Sequence, residues 1–116
     1  MKTPINISLS SGSVSFFLDL DASSLADQAT VVNFNASGCC EPEVVHLMLR
    51  TIKPGDTVVD GGANIGFFTM LMAKLVGDTG RVYAFEPAEQ NIHKLATNAN
   101  ANKFENITIV SNPLWS

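Results

Sequence analysis

Thr57-Val58-Val59-Asp60-Gly61-Gly62-Ala63-Asn64-Ile65-Gly66 runs from β-branched residues through an acid into a glycine-rich turn. Val58 and Val59 suit a strand buried on both faces, and Gly61, Gly62 and Gly66 permit tight bending and close approach of backbone to a ligand. Phe68, Leu71, Met72 and Leu75 follow at i, i+3, i+4 and i+7, which predicts an amphipathic helix ended by Gly77. The stretch reads as a nucleotide-binding strand-turn-helix.

A turn of this kind presents backbone N–H groups at a helix N-terminus, so it predicts a polar or anionic ligand above the strand. Asp60 narrows the choice. A carboxylate at the strand end repels the pyrophosphate of a dinucleotide but accepts hydrogen bonds from a cationic, amine-bearing ligand, which suits the methionyl part of S-adenosylmethionine better than NAD. Asp60-x-Gly62-x-x-x-Gly66 satisfies the acid-x-Gly-x-x-x-Gly pattern of methyltransferases. The dinucleotide pattern Gly-x-Gly-x-x-Gly is met only with Ala63 in place of its second glycine.

Downstream, Gly77 to Gly80 forms a loop and Arg81 to Glu86 reads as a second buried strand through Val82, Tyr83, Ala84 and Phe85. Strand-helix-strand in this order implies a right-handed parallel crossover, with Glu86 at the carboxyl end of the strand beside Asp60. An acid there can accept both ribose hydroxyl protons of an adenosine-containing ligand. Pro87 ends the strand. A helix follows with Ile92, Leu95, Ala96 and Ala99 on its buried face, weakened towards its end by Asn98, Asn100 and Asn102, and Ile107 to Val110 makes a third strand.

Upstream, Glu41-Pro42-Glu43 has the character of a helix start, Val45, Met48, Leu49 and Ile52 define a buried face, and Pro54-Gly55 stops the helix. His46, Arg50 and Lys53 fall on the opposite, solvated side, and His93 also lies off its helix's apolar face. Neither histidine is assigned as a catalytic base. Ile5, Ile7 and Leu9, a turn at Ser10 to Ser13, and then Val14, Phe16, Leu18 and Leu20 give a hairpin pattern. A short helical turn at 21–29, a strand at 31–34 and a loop at 35–40 complete the amino-terminal part.

The 116 residues allow one domain at most, and 46% hydrophobic with 16% charged residues describes a globular chain. A net charge of −4 gives no electrostatic footprint for nucleic acid or an anionic membrane, so the expected acceptor is a small molecule. No apolar run is long enough for a membrane span and no signal-peptide core is present, which makes cytoplasmic the expected location. Cys39 and Cys40 are adjacent and supply neither a disulfide framework nor a metal pattern; no metal is expected.

Asp60-Gly61-Gly62-Ala63-Asn64-Ile65-Gly66-Phe67-Phe68-Thr69, Arg81-Val82-Tyr83-Ala84-Phe85-Glu86-Pro87, and then Asn91 and Asn98, closely resemble the FkbM family of S-adenosylmethionine-dependent methyltransferases. Glu41-Pro42-Glu43 and Lys53-Pro54-Gly55-Asp56 also match, so the resemblance covers roughly Glu41 to Trp115. It implies an α/β, Rossmann-like class I methyltransferase fold and methyl transfer to a hydroxyl of a sugar or other small metabolite. It also implies S-adenosyl-L-methionine held by Asp60, Gly61, Gly62, Ala63, Asn64, Gly66, Glu86 and Pro87.

Members of that family continue through further strands that complete the sheet and form the acceptor pocket. The expected architecture is therefore the fold truncated after its third core strand, with residues 1–40 a hairpin and loop extension and 41–116 a partial cofactor domain. The strand at Thr57 to Asp60 then has an apolar edge, which the hairpin is expected to cover unless two chains pair there. A catalytically inactive interaction module and an NAD-binding module are the alternative readings.

Overall fold

The computed structural model describes residues 2–9, 12–20 and 42–112. Strands β1 (Lys2–Leu9) and β2 (Gly12–Asp19) form an antiparallel hairpin in which Leu9 faces Gly12. Helix α1 (Pro42–Thr51) precedes β3 (Thr57–Gly61), α2 (Phe67–Val76), β4 (Arg81–Phe85), α3 (Glu89–Ala101) and β5 (Ile107–Val110). The last three strands make a parallel sheet in the order β3-β4-β5, with Val58 opposite Val82 and Val82 opposite Ile107. The expected crossover between β3 and β4 is therefore present, and a second joins β4 to β5, each carried by a helix.

Gly12 and Ser13, read from sequence as turn residues, belong instead to β2, since pairing continues up to Leu9 and Gly12. The expected turn residues Ser10 and Ser11 lie outside the described residues. So do the helical turn at 21–29, the strand at 31–34, the loop at 35–40 with both cysteines, and Glu41.

One core unites the elements. Val58, Val82, Ala84, Ile107 and Ile109 project from one side of the parallel sheet towards Phe67, Met70, Leu71, Met72, Ala73 and Val76 of α2 and Leu95 and Ala99 of α3. The hairpin lies on these helices, with Ile5, Ile7, Phe16, Leu18 and Leu20 buried as their alternation predicts. Phe16 meets Phe67 edge-on at 5.7 Å between ring centres. Helix α1 contributes Val45, Met48, Leu49 and Ile52, while His46, Arg50 and Lys53 are exposed, as expected.

Two expectations fail. Val59 and Tyr83, opposite each other across the β3–β4 pair, are 55% and 37% exposed rather than buried. The helices and the hairpin all gather on one face of the sheet, so every second strand residue looks away from them. The hairpin does not cover the β3 edge: it forms its own sheet over α2 and α3, and β4 is the only strand beside β3 among the described residues. Helix α2 buries Leu71 and Met72 of its predicted stripe and extends burial beyond it. Phe68 and Leu75 are half-buried, whereas Phe67, Met70, Ala73 and Val76 are buried, because sheet, hairpin and α1 enclose the helix from several sides.

Candidate functional site

Parallel pairing brings the ends of β3 and β4 together, with Asp60 opposite Ala84 and Gly61 opposite Phe85. Glu86 follows immediately, so two carboxylates lie at the same end of the sheet, one on each strand. Between them the chain turns through Gly62 at φ 74°, Asn64 at φ 55° and Gly66 at φ 106°, three left-handed conformations within five residues. Asn64 tolerates its angle because a short polar side chain permits it.

The two glycines serve different purposes. A Cβ on Gly66 would come within 2.6 Å of Leu95 Cδ1 and 3.3 Å of Met70 Cε, so its bareness is needed for α3 to pack against the start of α2. A Cβ on Gly62 would meet nothing within 4 Å. Gly62 is thus the open part of the turn, where a ligand can approach the backbone.

Four donors of the turn are committed within the protein. Gly62 and Ala63 both donate their N–H to the carbonyl of Phe85, at 2.9 and 3.1 Å, and Gly66 donates to Ala63 at 3.1 Å. Asn64 N–H donates to Glu86 Oε1 at 2.8 Å. Glu86 Oε2 accepts from the Ala88 N–H at 2.9 Å and from Asn91 Nδ2 at 3.4 Å. Glu86 is buried, whereas Pro87 beside it is exposed. Each carboxylate oxygen retains acceptor capacity beyond these contacts.

Asp60 is half-buried and accepts a hydrogen bond from the Thr69 hydroxyl at 2.5 Å. Burial raises its carboxyl above the usual carboxylate range; the Thr69 bond opposes that shift and the nearby charge of Glu86 adds to it. Thr69 was legible only as one letter of the motif. A threonine one turn into an otherwise apolar helix is a usable signal, since a buried hydroxyl needs a partner.

Asn98 was read as a weakness in its helix. It is fully buried, with Nδ2 donating to the Ile65 carbonyl and Oδ1 accepting from Asp19 N–H, both at 2.6 Å. Among the described residues no group of His, Cys, Asp or Glu is placed to hold a metal ion, and no helix is long and apolar enough to cross a membrane. His46 and His93 are exposed on helices α1 and α3.

No protein-family model matches the chain. It is 33% identical over 66 residues to a 23S rRNA uracil C5-methyltransferase of Acinetobacter baylyi, covering 57% of this chain and 14% of that protein. It is also 33% identical over 87 residues to an arsenite methyltransferase of Halobacterium salinarum, covering 75% of this chain and 20% of the relative. Among solved structures, an S-adenosylmethionine-dependent O-methyltransferase of Thermotoga maritima superposes with a TM-score of 0.59 at 25% identity, over 94% of this chain and 40% of the other. The chain thus spans a fifth or less of the two curated relatives. Together with the parallel β3-β4-β5 order and the glycine turn, these matches show that it has the Rossmann-like fold of class I methyltransferases.

Proposed function

We propose that this chain is the cofactor-binding portion of an S-adenosylmethionine-dependent methyltransferase. The observation that carries the reading is the pairing of Asp60 and Glu86 around the glycine turn, whose Gly62, Ala63 and Asn64 N–H groups are bonded to Phe85 and Glu86. Such a site presents acceptors and negative charge at the strand ends. It suits a ligand with a cationic amino-acid end and ribose hydroxyls, and it is poorly suited to a dinucleotide pyrophosphate, which the two carboxylates would repel.

The residues present fit S-adenosylmethionine on that ground. Asp60 and the backbone around Gly62 would hold the methionyl part, and Glu86 the ribose hydroxyls. Bound there, the cofactor supplies an activated methyl group for in-line transfer. The chain's own tasks are to bind and orient: Thr69 keeps Asp60 aimed, and Asn64 N–H keeps Glu86 aimed. No side chain here is assigned as a general base.

For the acceptor we favour a hydroxyl of a sugar or other small metabolite, supported by the FkbM-like motifs and by the net charge of −4. A second reading, a catalytically silent interaction module, draws support from the exposed Val59 and Tyr83.

Calorimetric titration of the full chain with S-adenosylmethionine, with NAD as control, tests the proposal. Selective binding that weakens about tenfold or more in Asp60→Ala and in Glu86→Ala is expected, the scale of one lost hydrogen bond to a charged group. Binding of NAD in preference, or of neither ligand, overturns it.

A further inference from the structure

Two groups that are distant in sequence meet at the Asn98 side chain. Its Oδ1 takes the N–H of Asp19 at the end of β2, and its Nδ2 gives a proton to the carbonyl of Ile65 in the glycine turn. The amide orientation follows from these partners, since only Nδ2 can donate to a carbonyl and only Oδ1 can accept from an N–H. With the side chain fully buried, no solvent competes for either bond.

The Ile65 carbonyl belongs to the same peptide plane as the Gly66 N–H, which donates to Ala63 at 3.1 Å. That plane is therefore held at both ends, by Asn98 on one side and by the turn itself on the other. The turn closed by that bond holds Asn64 and Ile65; Asn64 is in the left-handed region at φ 55°, and its N–H, in the preceding Ala63–Asn64 peptide, is aimed at Glu86 Oε1. Releasing the Ile65 carbonyl would loosen the Ala63–Gly66 turn, whose backbone angles set where the Asn64 N–H points.

The hairpin has a second anchor that does not touch the turn. Asn102, one helical turn beyond Asn98, accepts the Phe17 N–H at 2.6 Å and donates to the Phe17 carbonyl at 2.8 Å. It thereby treats β2 as a neighbouring strand would. It also donates to the Asn98 carbonyl at 2.8 Å.

We infer that Asn98 is a positioning residue that couples docking of the amino-terminal hairpin to the shape of the turn and, through Asn64, to Glu86. Occupancy of the site and docking of the hairpin then support each other, because linkage between two equilibria is reciprocal. The ligand half of this inference rests on the cofactor reading above; the turn half does not.

Amide hydrogen exchange of the full chain, with and without S-adenosylhomocysteine, separates the two. Without ligand, Asn98→Ala is expected to speed exchange at Asn64 by about tenfold or more, while Asn102→Ala leaves it near the wild-type rate. With ligand, exchange at Asp19 and Phe17 slows in the wild type but not in Asn98→Ala, whose affinity falls about tenfold. Asn98→Asp keeps the size and the acceptor but, when ionised, cannot donate to Ile65. Its Asn64 exchange, taken as a ratio to wild type at each pH, should be fast near neutrality and return towards unity as acid protonates the new carboxyl. That rescue is beyond a residue that merely fills space, and it serves equally where Asn98→Ala does not fold.

Unchanged Asn64 exchange in both Asn98 variants, or an Asn102→Ala effect as large as theirs, overturns the inference. Ligand protection that still reaches Asp19 in Asn98→Ala overturns the coupling. If the wild type binds no S-adenosylhomocysteine, the cofactor reading falls and the ligand-free exchange judges Asn98 alone.

Discussion

Thr69 is fully buried, and its hydroxyl has Asp60 as partner. Thr69→Val keeps the shape and removes the donor, leaving a half-buried carboxylate short of one bond; a loss of about 1–3 kcal/mol in a urea titration near neutrality is expected. Asp60 gives this effect a pH signature. Its folded-state pKa is raised by burial, so the protonated form is favoured by folding. That contribution is full below the unfolded carboxylate pKa and is lost as pH rises through the folded value. Asp60→Asn should therefore gain stability over wild type progressively as the pH is raised from the ordinary carboxylate value through the raised folded-state value, read as the difference in Tm at each pH. Ligand affinity should run the other way, falling on acidification earlier than an ordinary carboxylate would allow. Gly66→Ala combines a left-handed angle with the Leu95 contact at 2.6 Å, and should cost about 2–4 kcal/mol by the same titration. At this scale the acid and glycine positions were readable, because charge and the absence of a Cβ are properties of a residue type. The roles of Thr69 and Asn98 were not, since a hydrogen-bond partner is a property of a place.

At the next scale, helix α2 ends at Gly77, as its sequence predicts, yet its last carbonyls are completed from elsewhere. Asn106 Nδ2 donates at 2.9 Å to both Ala73 and Gly77, from the chain just before β5. Its Oδ1 is buried with no partner. Asn106→Ala removes two donated bonds together with one unsatisfied acceptor, so its cost should sit towards the lower end of about 1–3 kcal/mol, visible as a lowered Tm. The elements themselves were largely legible. Alternation gave the hairpin's inner face, and helical spacing gave the faces of α1 and α3. The stripe assigned to α2 was incomplete rather than wrong, because a helix enclosed on several sides has no single apolar face to reveal. The register of the hairpin turn was also misplaced, since glycine and serine signal a bend without saying where pairing resumes.

For the molecule as a whole, the consequence of one-sided packing is an exposed strip along β3 and β4. Val59 is 55% and Tyr83 37% exposed, and β3 has no second strand beside it among the described residues. A homodimer pairing β3 with its copy remains our proposal for this edge, which carries neither Pro nor Lys to discourage pairing. Sedimentation should then show concentration-dependent dimerisation, lost in Val59→Lys; a wild-type chain that stays monomeric throughout rejects it. The presence of β3, β4 and β5, their acids and the glycine turn could be read along the chain, because periodicity, turn chemistry and motif spacing depend on near neighbours in sequence. Folding alone settled which face of the sheet the helices share, where the hairpin lies and which side chains meet at Asn98. Those outcomes depend on contacts between residues as far apart as Asp19 and Asn98, and a linear pattern records the apolar surface to be buried without recording what it is buried against.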